Sequence, residues 1–128
     1  MSQTIIGLGL DATDIPRVRE VFQRYGQRFL GRVFTDAEIA YCTRHRDPVP
    51  SLAARFASKE AAMKALGTGH SHGVLWKDIE VFRQFGPPQL RLTGGALRRF
   101  QAMKATRSLL TITHSDALAM AQVLLLDD

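Results

Sequence analysis

The segment 55–69, RFASKEAAMKALGTG, sets charged side chains at helical spacing among alanines and ends on glycine, which predicts a helix that stops at Gly67. At about 100° per residue, Glu60 and Lys64 share one face of this helix with four mainly apolar residues: Ala53, Phe56, Ala57 and Met63. Arg55 and Ala62 are predicted to lie on the outward face. A carboxylate among apolar neighbours needs a partner, and the simplest alternative is an i, i+4 ion pair between Glu60 and Lys64.

A short strand near the N-terminus supplies a second carboxylate. Over residues 6–11, apolar side chains alternate with Gly7, Gly9 and Asp11. Asp11 therefore shares a strand face with two glycines, where a bulky ligand or another backbone can approach closely. The alternative is an exposed strand end in which Asp11 or Thr13 caps the following helix.

A further strand pattern, LTITHS at residues 110–115, ends at His114. A single histidine at a strand end is usually structural, so this residue alone predicts no chemistry.

Four blocks taken together resemble the holo-acyl-carrier-protein synthases, the small bacterial 4'-phosphopantetheinyl transferases. They are GLGLD at 7–11, the segment 55–69, WKDIEV at 76–81 and TITHS at 111–115, and their order and spacing match over nearly the whole chain. The resemblance implies transfer of phosphopantetheine from coenzyme A to a serine of an apo acyl carrier protein in fatty acid biosynthesis. Adenosine 3',5'-bisphosphate would be released, and Mg2+ would be required.

The resemblance and the residue chemistry agree on a metal and catalytic set. Two carboxylates from different elements, Asp11 and Glu60, suit Mg2+, which keeps several waters and takes other ligands from substrate phosphate. Lys64 would stabilise phosphate oxygens, and Glu60 would take the serine proton, directly or through a metal-bound water.

The coenzyme A phosphates are expected to meet basic side chains and the glycine-rich end of the helix. The residues assigned to them are Arg55, Lys59, Lys64, Gly67, Thr68 and His114. In a monomer, Arg55 and Lys59 would instead be solvated surface.

Residues 15–29 form a predicted helix, provided that Gly26 does not break it. Its apolar stripe is Ile15, Val18, Phe22, Tyr25 and Phe29, and the opposite face is cationic. The resemblance implies that this region recognises the acidic carrier protein, through Arg17, Arg24, Arg28, Phe29 and Arg32. The alternative is a solvated charged surface without a partner.

The chain of 128 residues predicts one domain, 1–128, of the α+β class, with five mostly antiparallel strands and helices packed on one side. Beyond the segments above, the predicted strands are 79–83, 89–92 and 117–126. Two further helices are predicted: one begins with a capping box at Thr35 and Glu38, and the other runs through Leu97, Phe100 and Met103. The resemblance implies this fold as well, and a trimer with active sites between subunits.

Composition limits the other function classes. The net charge of +5 and pI near 10 allow a nucleic-acid-binding module, but few aromatics are interleaved with the basic residues and no recognition motif is found. A transferase of broader carrier specificity fits every motif equally well.

His70 and His72 lack the spacing of a metal site, and Cys42 is expected to be buried packing. A single cysteine, no apolar run of membrane-spanning length and no targeting segment predict a cytoplasmic protein.

Overall fold

The computed structural model describes residues 3–127. Its elements, in chain order, are β1 (Thr4–Asp14), α1 (Ile15–Tyr25), α2 (Gln27–Val33), α3 (Asp36–Thr43), α4 (Val49–Leu66), a 3₁₀ turn (Trp76–Asp78), β2 (Ile79–Phe82), β3 (Gln89–Leu92), α5 (Gly94–Ala102), β4 (Arg107–His114) and β5 (Leu118–Asp127). The predicted α+β class, with antiparallel strands and packed helices, is confirmed. None of the helices within residues 3–127 is long and apolar enough to cross a membrane.

The three-stranded sheet has the order β1-β5-β4, and both pairings are antiparallel. Asp11 lies opposite Ala121, Thr13 lies opposite Ala119, and Ala119 in turn lies opposite His114. Because paired residues in an antiparallel sheet project to the same side, these residues share the inner face that packs on α4. The strands β2 and β3 form a separate antiparallel pair.

The backbones of β1 and α4 are in direct contact. A Cβ built on Gly9 would lie 1.8 Å from the carbonyl oxygen of Ala61, and one on Gly7 would lie 2.5 Å from that of Ala65. Of the two roles predicted for these glycines, the close approach of another backbone is therefore the correct one. Asp11, two residues farther along the same strand face, is brought against α4 by this contact.

The helix α4 is covered on nearly every side. Thirteen of its 18 residues are buried, and they include Arg55 and Ala62, so the prediction that these two point outward is wrong. The sheet covers one side of the helix, and α1, α3, α5 and β2 cover other sides. Between Leu52 and Leu66, only Phe56, Glu60 and Lys64 are open to solvent. A helix buried all round is typical of a protein core, and here the remaining open stripe carries the charged residues.

Gly26 breaks the predicted helix 15–29 into α1 and α2. Its backbone has φ 49° and ψ −123°, a conformation that glycine adopts readily, and its amide donates to the Phe22 carbonyl. The chain turns at this point, so Tyr25 is half exposed rather than part of a continuous buried stripe. Ile15 and Val18 are buried as predicted.

The helix α3 begins with the predicted capping box, since Thr35 Oγ1 accepts from the Glu38 amide and a Glu38 oxygen accepts from the Thr35 amide. Cys42 is buried, as predicted, and the Ser51 hydroxyl donates to its sulfur at 3.2 Å. Burial raises the pKa of the Cys42 thiol, with Ser51 partly opposing this shift.

The face of the sheet that points away from α4, here called the outer sheet face, is exposed and carries large apolar side chains beside the polar Thr111, Thr113 and Gln122. Its large exposed residues come from all three strands, and they are Leu8, Leu10, Leu109, Leu118 and Met120. Leu8 and Leu10 are 59% and 54% exposed. Contiguous exposed apolar side chains of this kind are typical of a protein interface.

Candidate active site

A cavity of about 480 Å³ lies between the inner face of β1, the exposed stripe of α4 and the first two helices. Asp11, Glu60 and Lys64 line it together, so the structure brings the predicted metal and catalytic residues to one place. Arg17 and Phe29, two of the predicted carrier contacts, line the same cavity. Phe56 supplies part of the apolar wall.

Both oxygens of the Asp11 carboxylate accept hydrogen bonds. The Lys64 ammonium donates to Oδ1 at 3.1 Å and also to the carbonyl oxygen of Leu10 at 2.9 Å. The Thr13 hydroxyl donates to Oδ2 at 2.9 Å. The strand, the helix and the carboxylate are thus joined by charged and neutral hydrogen bonds at the cavity wall.

Glu60 faces a histidine that comes from the loop after α4. His70 Nε2 lies 3.6 Å from Glu60 Oε1, and the imidazole packs on the Trp76 ring with centroids 4.4 Å apart. Trp76 in turn stacks on Phe56 at 5.0 Å. The ion pair that the structure gives Lys64, within the described chain, is with Asp11, so the i, i+4 pairing with Glu60 does not describe this helix.

Lys59 does not reach the cavity, and its predicted phosphate contact is wrong for this fold. Its side chain is 0% exposed, and its ammonium pairs with Glu38 Oε1 at 2.7 Å. The same ammonium donates to the carbonyl oxygens of Trp76 and Ile79, which uses all three of its hydrogens. Burial lowers the pKa of Lys59, and the Glu38 carboxylate partly offsets this shift. The expectation that Lys59 would be solvated surface in a monomer is wrong for the same reason.

Arg55 is also held in the core. Its guanidinium lies 4.0 Å from the centre of the Tyr41 ring and donates to Ser51 Oγ at 3.1 Å. It is 6% exposed and is not among the residues that line the cavity. The helix α4 is covered on this side by α3, which overturns both the solvated reading of Arg55 and its direct access to the cavity.

The remaining coenzyme A candidates lie at the end of α4 and at the sheet edge. Gly67 takes the left-handed conformation that ends the helix, with φ 74°, and Thr68 is buried behind it. Arg99 Nε donates to the Leu66 carbonyl and so fixes this helix end. His114 is exposed at the end of β4, two strands away from Thr13 across the sheet, and does not line the cavity of this chain.

Basic side chains surround the mouth of the cavity. Two neighbouring depressions share Val21 with it, and they are lined by exposed arginines of α1 and α2: Arg17, Arg24, Arg28 and Arg32. Glu20 is the acidic residue among the lining of these depressions. Arg19, in contrast, is engaged by Asp47 at 2.8 Å and holds the pKa of that carboxyl below its ordinary value.

Thr13 and His70 are the site residues that sequence reasoning missed. The pattern around Thr13 predicts only a helix cap, although the i, i+2 relation of Thr13 to Asp11 on one strand face is a signal for a contact between them. The contact of His70 with Glu60 depends on the path of the loop after Gly67, which no local pattern predicts.

The donor set fits a hard divalent cation. Asp11 and Glu60 offer carboxylate oxygens, and no group of three or more His, Cys, Asp or Glu residues that could hold a metal exists within residues 3–127. A cation bound by two carboxylates takes its remaining ligands from water and substrate oxygens, which is the habit of Mg2+ rather than of Zn2+.

Paired carboxylates, a lysine and a rim of arginines around one cavity are typical of an enzyme that acts on phosphate groups. A family model described as the 4'-phosphopantetheinyl transferase superfamily matches residues 7–121, and the chain belongs to that superfamily.

Among similar proteins, a holo-[acyl-carrier-protein] synthase of Koribacter versatilis is 45% identical over 124 residues, covering 96% of this chain and 99% of the relative. Among solved structures, the synthase from Neisseria meningitidis matches with a TM-score of 0.87 and 28% identity over 95% of this chain and 98% of that one. The Helicobacter pylori synthase in complex with coenzyme A matches with a TM-score of 0.81 and 27% identity over 92% of this chain and 98% of that one.

Proposed function

We propose that this chain is a holo-acyl-carrier-protein synthase. It transfers 4'-phosphopantetheine from coenzyme A to a serine hydroxyl of apo acyl carrier protein, as part of fatty acid biosynthesis. The observation that carries this proposal is the meeting of Asp11, Glu60 and Lys64 in one cavity bordered by basic helices. The near full-length likeness to holo-[acyl-carrier-protein] synthases supports the choice of substrate.

The reaction is a phosphoryl transfer. The serine oxygen bonds to the phosphorus that carries the pantetheine, the bond from that phosphorus to the bridging oxygen breaks, and adenosine 3',5'-bisphosphate leaves. Because such a reaction depends mainly on positioning and charge stabilisation, few catalytic side chains are needed. Glu60, 25% exposed at the cavity wall, accepts the serine proton.

Lys64 is the cationic side chain of the site that is exposed to the cavity. Its side chain is 52% exposed, and its ammonium rests on Asp11 at the edge of the cavity, within reach of a phosphate bound there. It stabilises charge on the phosphate oxygens as the bond to the leaving group breaks.

Asp11 and Glu60 would hold Mg2+, and the ion would neutralise part of the charge on the pyrophosphate when bound. Gly67, Thr68 and His114 are the remaining candidates for coenzyme A contacts. Arg55 and Lys59 act on the site only through the core that holds α4 in place.

The arginines at the cavity mouth, with Phe29, form the docking surface for the carrier protein. Arg17, Arg24, Arg28 and Arg32 are all exposed and form one patch that leads into the cavity. Carrier proteins of this class are acidic, and complementary charge would guide their approach and place the serine near Glu60.

The active form is a homotrimer in which the outer sheet face is covered by other copies. The exposed Leu8, Leu10 and Leu109 on that face support this assembly, and the active sites would lie between copies. Residues 1–128 act as one domain. A cytoplasmic location remains a prediction, supported by a single free cysteine.

Intact-mass spectrometry tests the function directly. Apo acyl carrier protein, incubated with the enzyme, coenzyme A and Mg2+, should gain the mass of one phosphopantetheine group, and a carrier lacking its acceptor serine should gain none. A carrier that keeps its mass in the complete mixture would disprove the proposal. Parallel reactions with carriers of polyketide or peptide synthases measure how broad the specificity is.

A further inference from the structure

We infer that Thr13 is a positioning residue, whose hydroxyl sets the rotation of the Asp11 carboxylate for cation binding. The inference rests on the proposed function, since it assigns a role to a neighbour of a proposed metal ligand. Its basis is the hydrogen bond from Thr13 Oγ1 to Asp11 Oδ2 at 2.9 Å.

Thr13 is suited to hold a fixed direction. It is 8% exposed on the inner face of β1, in register with the fully buried Ala119 of β5. A threonine side chain has few χ1 rotamers available in a strand, and here the sheet and the cavity wall surround it. The other partner of the carboxylate, Lys64, is a long and half-exposed side chain that restrains Asp11 less.

The hydroxyl is not used to start the helix that follows. Asp14 occupies the N-cap position of α1, and among the described residues no side chain makes a capping hydrogen bond to that helix. The predicted alternative, in which Thr13 caps α1, is therefore wrong. The hydrogen bond to Asp11 is the role that the geometry leaves to Thr13.

An oriented carboxylate binds a cation at lower cost. Rotation about the terminal torsion of an aspartate is broad, so an unrestrained carboxylate loses freedom when it binds a metal. Asp11 accepts one hydrogen bond on each oxygen, which leaves lone pairs on both oxygens for a cation. Hydrogen-bond partners behind a metal ligand typically contribute about 10- to 100-fold in metal affinity.

The test compares Thr13→Val, which keeps the shape and removes the hydroxyl, with Thr13→Ser, which keeps the hydroxyl. Binding of Mn2+ alone to each folded protein is measured by electron paramagnetic resonance. We expect Thr13→Val to raise the Kd for Mn2+ about 10-fold or more, and Thr13→Ser to stay within about threefold of the original chain. The Mg2+ concentration for half-maximal transfer should rise in the same order, with a smaller change in kcat at saturating Mg2+.

Asp11→Asn serves as the control that separates the metal site at Asp11 from the positioning role of Thr13. If Asp11→Asn weakens Mn2+ binding while Thr13→Val binds as tightly as the original chain, the role of Thr13 is overturned and the metal site stands. If neither variant changes Mn2+ binding, the metal site itself is wrong and the role of Thr13 is overturned with it. Equal weakening by Thr13→Val and Thr13→Ser would also overturn the inference, because the hydroxyl would then not be the cause.

Discussion

Asp11 and Glu60 reach the same cavity from a strand and from a helix, and neither carboxylate fills a core position. Asp11 is 16% exposed, and Glu60 is more exposed still. Removing either carboxylate therefore empties no large apolar site, although it takes away one of the two proposed cation ligands. The two side chains can be tested for activity without the loss of the fold.

Asp11→Ala and Glu60→Gln should each lower the rate of phosphopantetheine transfer by more than about a hundredfold at saturating Mg2+, because each removes a metal ligand. Lys64→Ala should lower it by a similar or smaller factor. The rate is followed by intact mass of the carrier, and circular dichroism checks that each variant is folded. Turnover like that of the original chain in either carboxylate variant would contradict the metal assignment.

The buried Cys42 makes the free energy of unfolding depend on pH. Burial raises the pKa of its thiol, so at alkaline pH the unfolded chain loses this proton while the folded chain keeps it. Stability from Cys42 is therefore present below the ordinary thiol pKa and is lost as the pH rises above it.

We expect the free energy of unfolding of the original chain to fall more steeply between pH 8 and about pH 10 than that of Cys42→Ala, measured by urea denaturation. All other titrating groups are shared by the two proteins, so the difference in slope belongs to the thiol. Parallel pH profiles would show that the thiol ionises as readily in the folded chain as in the unfolded one.

At the scale of elements, the contact between β1 and α4 sets the position of the site. Gly9→Ala would place a Cβ 1.8 Å from the Ala61 carbonyl oxygen, and because that atom belongs to a helix backbone, the strand must move. We expect a loss of about 3 kcal/mol or more in the free energy of unfolding, together with weaker Mg2+ activation, since Asp11 moves with the strand.

Gly31→Ala is the matched control for this substitution. Gly31 lies within α2, where a Cβ would meet no atom within 4 Å in the described chain, so alanine should be neutral or stabilise the helix by up to about 1 kcal/mol. Both values come from urea unfolding curves. Equal stabilities of the two variants would show that the β1–α4 contact is looser than the structure gives.

The arginine surface of α1 and α2 should act on carrier docking alone. Reversing Arg24 and Arg28 to glutamate should raise KM for the carrier protein at least about tenfold and leave KM for coenzyme A nearly unchanged, because like charges then face the acidic partner. Added salt should weaken the original enzyme more than the variant. The measurement is steady-state kinetics with each substrate varied in turn.

Reversal of Arg83 and Arg98, exposed residues on the turn after β2 and on α5, controls for the change in net charge. This second variant should keep both KM values. If the reversal of Arg24 and Arg28 changes both constants equally, or neither, these arginines are ordinary solvated surface.

Elements with a clear period were predictable from the sequence. The alternation in β1 and the spacing in α4 identified strand and helix, because side-chain direction in both follows the backbone period. The sequence does not decide whether the helix breaks at Gly26, since glycine is tolerated within a helix. The break depends on the packing of α2 against α1 and against the 3₁₀ turn. Periodicity alone could not show that α4 is covered on its second side, because that depends on where α3 and β2 return.

At the scale of the whole molecule, the proposed trimer would bury the outer sheet face. Sedimentation equilibrium should give a mass near three times the 14.2 kDa of the chain. Leu8→Asp should shift the protein toward the monomer and lower activity, because it places a charge in the predicted interface.

Phe85→Asp is the control, since Phe85 is 86% exposed on the turn between β2 and β3 and lies outside the outer sheet face. It should leave the mass unchanged. A chain that is active while strictly monomeric would rule out a site shared between copies.

Site residues were predictable from the sequence where their chemistry and their spacing pointed to the same role. The prediction failed for residues that the fold buries. Asp11, Glu60 and Lys64 were identified from sequence and lie together in the structure. The phosphate contact predicted for Lys59 is wrong because sequence does not reveal that Glu38, 21 positions earlier in the chain, pairs with Lys59 inside the core. A buried lysine is rare enough that surface exposure is the ordinary expectation.

The covering of α4 restricts where this enzyme can change during evolution. Thirteen of the 18 positions in the helix are buried, and Glu60 and Lys64 are the proposed catalytic residues, so on this proposal almost every substitution there costs either stability or catalysis. If the exposed arginine surface of α1 and α2 is the docking surface, as proposed, we expect new carrier preferences to arise there, because it can vary without disturbing the core. The proposed reaction centre is thus constrained by the core, whereas the proposed docking surface is free to vary, and relatives that serve different carriers should differ mainly in that surface.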